Sequence, residues 1–153
     1  MAHIHELYDF TITVFIVNSE AQVLLVDHPN YQKWLPIGGH IDLDEDPEQA
    51  LYREIQEECG LEVSLLTTKP DITSPGTKFI LTPNYVDVHE AHLPHQHISF
   101  IYFAKSDSSN FVLSSEHRAM RWFDQVELTD EKYELSPSIV FYAQKAIELA
   151  KKS

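Results

Sequence analysis

The sequence predicts an α/β fold in which a mixed β-sheet lies between helices, an α/β/α sandwich. Three observations carry this. Apolar, β-branched runs stand on both sides of one short helix with marked ends. A second amphipathic helix closes the chain. No repeat, linker or low-complexity segment interrupts the 153 residues, so 1–153 read as a single domain. A chain of that length buries roughly two-thirds of its unfolded surface.

Residues 9 to 18 mix β-branched and aromatic side chains and predict a strand. Asn18, Ser19 and Glu20 supply turn chemistry, and residues 22 to 27 predict the returning strand of a hairpin. A loop with Pro29 and Asn30 leads to Trp34, Pro36 and the pair Gly38–Gly39. Such a pair makes a tight turn, lets backbone approach a ligand closely, or does both. The first helix then starts at Asp46. Its carboxylate can accept from free amides, Pro47 suits the first helical position, and Gln49 completes a capping box. Gly60 supplies the left-handed residue that stops it. Leu51, Ile55 and Cys59 recur every four residues as a buried stripe.

Residues 61 to 67 predict another strand, and 70 to 77 a loop punctuated by Pro70, Pro75 and Gly76. Residues 78 to 88 read as extended, with Pro83 marking an edge or a break. Residues 97 to 105 make a central strand, and 106 to 110 a polar turn. Trp122 and Phe123 are assigned to the core, and 127 to 134 to an acidic connector. Ser136 and Pro137 cap a last helix, whose apolar stripe runs from Ile139 to Ala150. Lys151 and Lys152 suit its negative end.

The acidic residues of the first helix point to chemistry. Glu54, Glu57 and Glu58 stand at i, i+3 and i+4 and crowd one side. Glu54 and Glu58 flank the Leu51/Ile55 stripe, so they sit at the edge of a core. Like charges so placed repel, and more strongly where water is thin. Arg53 is one cation against three anions, with Glu45 as its partner. A divalent ion supplies the missing charge, and oxygen-only ligands favour Mg2+ or Mn2+.

Composition narrows the partners. Eleven basic against 24 acidic residues give a net charge of −13, which repels a nucleic-acid backbone and demands screening for any phosphate substrate. Neither a nucleic acid nor a membrane is an expected partner. No apolar run approaches the ~18 residues of a membrane span. The start lacks the order of a signal peptide. The single Cys59 excludes an internal disulfide, which suits a cytoplasmic protein.

Gly39, Glu45 and the run Arg53-Glu54-Ile55-Gln56-Glu57-Glu58-Cys59-Gly60-Leu61 resemble the signature of the Nudix (MutT-like) hydrolases. Every fixed position of that signature is filled, over 23 of 153 residues. The resemblance implies a Nudix-type α/β/α sandwich. It implies Mg2+ or Mn2+ held by Glu54, Glu57, Glu58 and the carbonyl of Gly38. It gives Arg53 a supporting role through Glu45, beside Gly39 and Gly60. The implied reaction is hydrolysis of a diphosphate bond in a nucleoside diphosphate linked to another moiety. Further on, Ser115-Glu116-His117 followed by Arg121-Trp122 is similar to the branch that cleaves diadenosine tetraphosphate. That similarity makes Glu116 a fourth carboxylate, reaching the metal from a loop, and leaves the general base as Glu54 or Glu116. Two readings compete. A non-catalytic nucleotide-sensing module would be expected to lose signature carboxylates, and none is lost here. An isoprenoid diphosphate isomerase would need a cysteine near the site, whereas Cys59 faces the core.

Four histidines, His89, His92, His95 and His97, fall within nine residues and read as a loop. Such a loop is solvated, or lines the substrate mouth, or holds Zn2+ or Ni2+. Loop position favours substrate contact, through His95 and His97.

Overall fold

The elements in chain order are β1 (Tyr8–Val17), β2 (Val23–His28), β3 (Lys33–Leu35), β4 (Ile37–His40) and α1 (Pro47–Glu58). Then come β5 (Ser64–Leu65), β6 (Tyr85–Glu90), β7 (Gln96–Lys105), β8 (Ala119–Phe123), α2 (Gln125–Leu128), a 3-10 turn at Glu131–Tyr133, and α3 (Pro137–Lys152). The structure is a computed structural model and describes residues 3, 5–115 and 117–153.

β1 is the axis. It pairs in parallel with β7 over its whole length, from Tyr8↔Gln96 to Val17↔Lys105. Its middle also pairs antiparallel with β4, from Thr11↔His40 to Val14↔Ile37. β2 carries β3 and β8, and β7 carries β5 and β6. The sheet is therefore mixed. The expected hairpin between the first two strands exists, but its register is the single pair Val17↔Val23.

Period-two alternation sends neighbouring side chains of β1 to opposite faces. Ile12, Val14 and Ile16 pack with Ala50, Leu51, Ile55 and Cys59 of the α1 side. Phe15 and Val17 pack with Tyr142, Ala143, Ala146 and Ile147 of α3. A sheet with one helix on each face is the expected α/β/α sandwich. α1 is set as its sequence dictates. Asp46 Oδ1 accepts from Gln49 N at 2.9 Å, Gln49 Oε1 accepts from Asp46 N at 2.8 Å, and Gly60 has φ +63°.

Five readings need correction. The strand at 61–67 shrinks to Ser64–Leu65, because β6 already occupies β7 up to Ile101 and leaves only Ala104 and Lys105 for it. The extended run at 78–88 joins the sheet only from Tyr85. Pro83 has no N–H, and the amides of Leu81 and Thr82 are committed to Glu48 Oε2 and Thr68 O. Gly38 and Gly39 lie in β4, not in a turn. The acidic connector at 127–134 holds the end of α2, which starts upstream at a capping box of Asp124 and Glu127, and the 3-10 turn Glu131–Tyr133. The histidine loop is a strand pair: His89 and His97 face each other across β6 and β7, leaving His92 and His95 in the turn. The core assignment is met fully by Phe123 and in part by Trp122, which is half-buried and donates Nε1–H to Ser109 O at 2.9 Å.

Candidate active site

α1 lays its acids against β4. Glu54 and Glu58 are only 8% and 6% exposed, whereas the side chain of Glu57 reaches solvent. Burial of two carboxylates on one helix turn needs compensation. Part of it is backbone: Gly38 N donates to Glu58 Oε2 at 3.4 Å. His117 Nε2 stands 3.5 Å from the same oxygen. A Cβ on Gly39 would overlap the Glu54 carboxylate, so that glycine is the cradle in which the acid sits.

Arg53 does more than hold Glu45. Its Nε and Nη2 grip both Glu45 oxygens at 2.5–3.2 Å, while Nη1 reaches Glu54 at 2.8 Å and Glu57 at 3.2 Å. Nη2 also donates to His40 O at 3.0 Å, tying α1 to the end of β4. The sequence reading gave Arg53 one partner; its fork geometry serves three carboxylates and a carbonyl. These hydrogen bonds, Glu45's first, raise the already high Arg53 pKa, and they hold the Glu45 carboxyl below its ordinary range. With Asp42 at 3.8 Å, one guanidinium faces four carboxylates. Buried carboxylate oxygens beside a backbone cradle are donors of the kind a hard dication takes.

A cavity of about 440 Å3 opens beside these acids. Glu58, Gly38, Gly39, Thr11, His40 and His97 line it. Tyr31 and His117 also line it. Burial, then the neighbouring charges of His89 and His40, hold the His97 pKa below the usual imidazole value, so the ring is neutral at pH 7.

Gly39 thus seats Glu54, Gly38 borders Glu58, and Arg53 joins Glu54 and Glu57 to Glu45. Of the two histidines assigned to substrate, His97 lines the cavity, while His95 is exposed in the β6–β7 turn and is absent from the lining. Glu116 lies outside the described residues. Sequence reasoning passed over His40 and His117. His117 stood in the quoted Ser-Glu-His run, and its 8% exposure marks it as part of the site wall. His40 directly follows the glycine pair.

A family model described as the NUDIX domain matches residues 7–143. The chain belongs to the Nudix family. A Nudix-family hydrolase from Clostridium perfringens superposes on this Nudix protein with a TM-score of 0.79 and 31% identity, covering 93% of this chain and 97% of that one. An Ap4A hydrolase from C. elegans, at 18% identity and a TM-score of 0.69, covers 95% and 99% and shares the fold. RNA pyrophosphohydrolases, among them one from Pseudomonas putida, are 43% identical over 51 residues, 33% of this chain. The match spans about a third of those relatives' length, 32%.

Proposed function

We propose that this Nudix protein, acting as a single domain of residues 1–153, hydrolyses a diphosphate bond in a nucleoside diphosphate linked to another group. The observation that carries the reading is the pair Glu54 and Glu58, buried on one face of α1, with Glu58 opening onto the cavity and Glu54 seated over Gly39. Glu54, Glu57, Glu58 and the Gly38 carbonyl would hold Mg2+ or Mn2+, with Glu116 joining from its loop. When bound, that ion supplies charge neutralisation at the phosphate oxygens and polarises the attacked phosphorus.

The chain's own groups do the rest. Glu54 or Glu116 takes the proton from the attacking water. Arg53, clamped by Glu45, fixes where Glu54 and Glu57 point, and positioning is most of what phosphoryl transfer asks of a protein. Gly39 and Gly60 support this geometry, one by making room and the other by ending α1. His97 contacts substrate from the cavity lining.

The cavity and the net charge of −13 favour a small nucleotide over a long polyanion. Dinucleoside polyphosphates are supported by the Ser-Glu-His run, and an RNA substrate by the name of the partial relatives, RNA pyrophosphohydrolase. No helix of the described residues is long and apolar enough to cross a membrane, and the lone buried thiol supports a cytoplasmic setting.

The test is a substrate panel. Dinucleoside polyphosphates, nucleoside triphosphates, nucleotide sugars and 5′-triphosphorylated RNA are incubated with Mg2+, and released mononucleotide, phosphate and pyrophosphate are quantified. Turnover of at least one diphosphate-linked nucleotide, abolished by chelator, is the expected result. Tight nucleotide binding without any product would make this a sensing module instead.

A further inference from the structure

On the α3-facing side of the sheet, three neighbouring strands place Asp9, His97 and His89 in one row. Asp9 is the register partner of His97 across β1 and β7, and His89 is its partner across β6 and β7. His40 enters from β4, which pairs at Thr11, two residues along from Asp9 and on the same face. Asp9, His40 and His97 can each offer one ligand atom, and those atoms all lie within 4.8 Å of one another. We infer that Asp9, His40 and His97 bind a first-row transition dication of the zinc class, at a site built from different residues than the carboxylate set on α1.

The proton arrangement supports this. Tyr142 donates its hydroxyl to Asp87 Oδ2 at 2.6 Å. Asp87 Oδ1 lies 2.8 Å from His89 Nδ1, so that nitrogen carries the proton. His89 Nε2 is then an acceptor, and it stands 3.3 Å from His97 Nδ1. His97 must donate from Nδ1, which leaves the lone pair on its Nε2. A carboxylate that fixes the tautomer of a ligating imidazole is the usual outer shell of a metal site; here it acts through a second imidazole. The donor set also decides the sign of the ligand. A carboxylate beside lone-pair nitrogens repels phosphate and attracts a cation. Two imidazoles with one carboxylate suit Zn2+ and its neighbours better than Mg2+, which takes oxygen.

Three protein ligands leave a coordination position open, as in catalytic zinc sites. His40 and His97 line the cavity, so that position faces the substrate space, and a bound phosphate oxygen can fill it. Binding of the ion is independent of the diphosphate reading; only its role beside substrate rests on that reading.

The experiment uses the untagged full chain in excess Mg2+, titrated with Co2+ as a spectroscopic probe. One Co2+ per chain is expected, with visible d–d absorption that Zn2+ abolishes. His97→Ala and Asp9→Asn should each weaken Co2+ binding by tenfold or more. His89→Ala, which removes only the outer-shell partner, should weaken it about 10–100-fold. Glu57→Gln should leave the absorption unchanged. Melting curves show that each variant is folded, and all three positions of the row are at least partly exposed. Absence of the absorption in folded wild-type protein, or its persistence at full strength in both His97→Ala and Asp9→Asn, would overturn the site.

Discussion

Gly38 and Gly39 are adjacent, yet a methyl group on each meets a different neighbour. At Gly38 it runs into the backbone carbonyl of Ile12 on β1, and at Gly39 into the carboxylate of Glu54. Backbone inside a paired strand has nowhere to go, whereas the end of a Glu side chain can swing. Gly38→Ala should therefore act on stability, at about 1–3 kcal/mol for overpacking, or roughly 2–4 °C of melting temperature per kcal/mol. Gly39→Ala should melt close to wild type but lose turnover at least tenfold, because it displaces the Glu54 carboxylate proposed to hold the ion. Melting curves and steady-state rates on the two variants separate these effects. Equal losses of stability in both would remove the cradle argument. The sequence showed that these glycines mattered but offered both a turn and a close approach; the neighbours that decide between them come from β1 and α1, neither local to the pair.

At the scale of the element, α1 is where local sequence and tertiary role coincide. Asp46, Pro47 and Gln49 cap it, and Leu51, Ile55 and Cys59 bury one side. Lys78 adds an ion pair to Asp46 at 2.6 Å, which with the Gln49 amide holds the Asp46 carboxyl below its ordinary pKa of 3.8. A carboxyl with a depressed folded pKa contributes stability above its unfolded value and loses it as pH falls through the folded one. Asp46→Ala should thus cost about 1 kcal/mol at neutral pH, and the gap to wild type in melting temperature should narrow as pH drops below 3.8. A gap constant down to pH 2 would mean that the carboxylate's charge plays no part. α1 was legible because caps and stripe lie within fourteen residues. β5 and the start of β6 were not, because both compete for the same edge of β7 and the outcome depends on Pro83 and on distant amides. The histidine pair on β6 and β7 was hidden likewise: it takes a register, not a spacing, to set His89 opposite His97 and Asp9 beside it.

At the scale of the molecule, the sandwich puts two helices to different uses. α3 closes one face and holds Asp87 through Tyr142, while α1 closes the other and carries the acids. The β1–β4 pairing lies between them and gives the cavity a wall from each side. That juxtaposition is what converts an acidic helix into a site, and it was legible in the sequence only through the family signature. The proposed hydrolysis requires Glu57 and Glu58 to hold the dication. Its most direct test is turnover of the best panel substrate with Mg2+ by Glu57→Gln and Glu58→Gln, beside melting curves of both. The charge stabilisation such an ion supplies is worth several kcal/mol, so kcat should fall roughly 100-fold or more in each variant while both remain folded. Folded variants that turn over within a few-fold of wild type would show that neither carboxylate holds a catalytic ion.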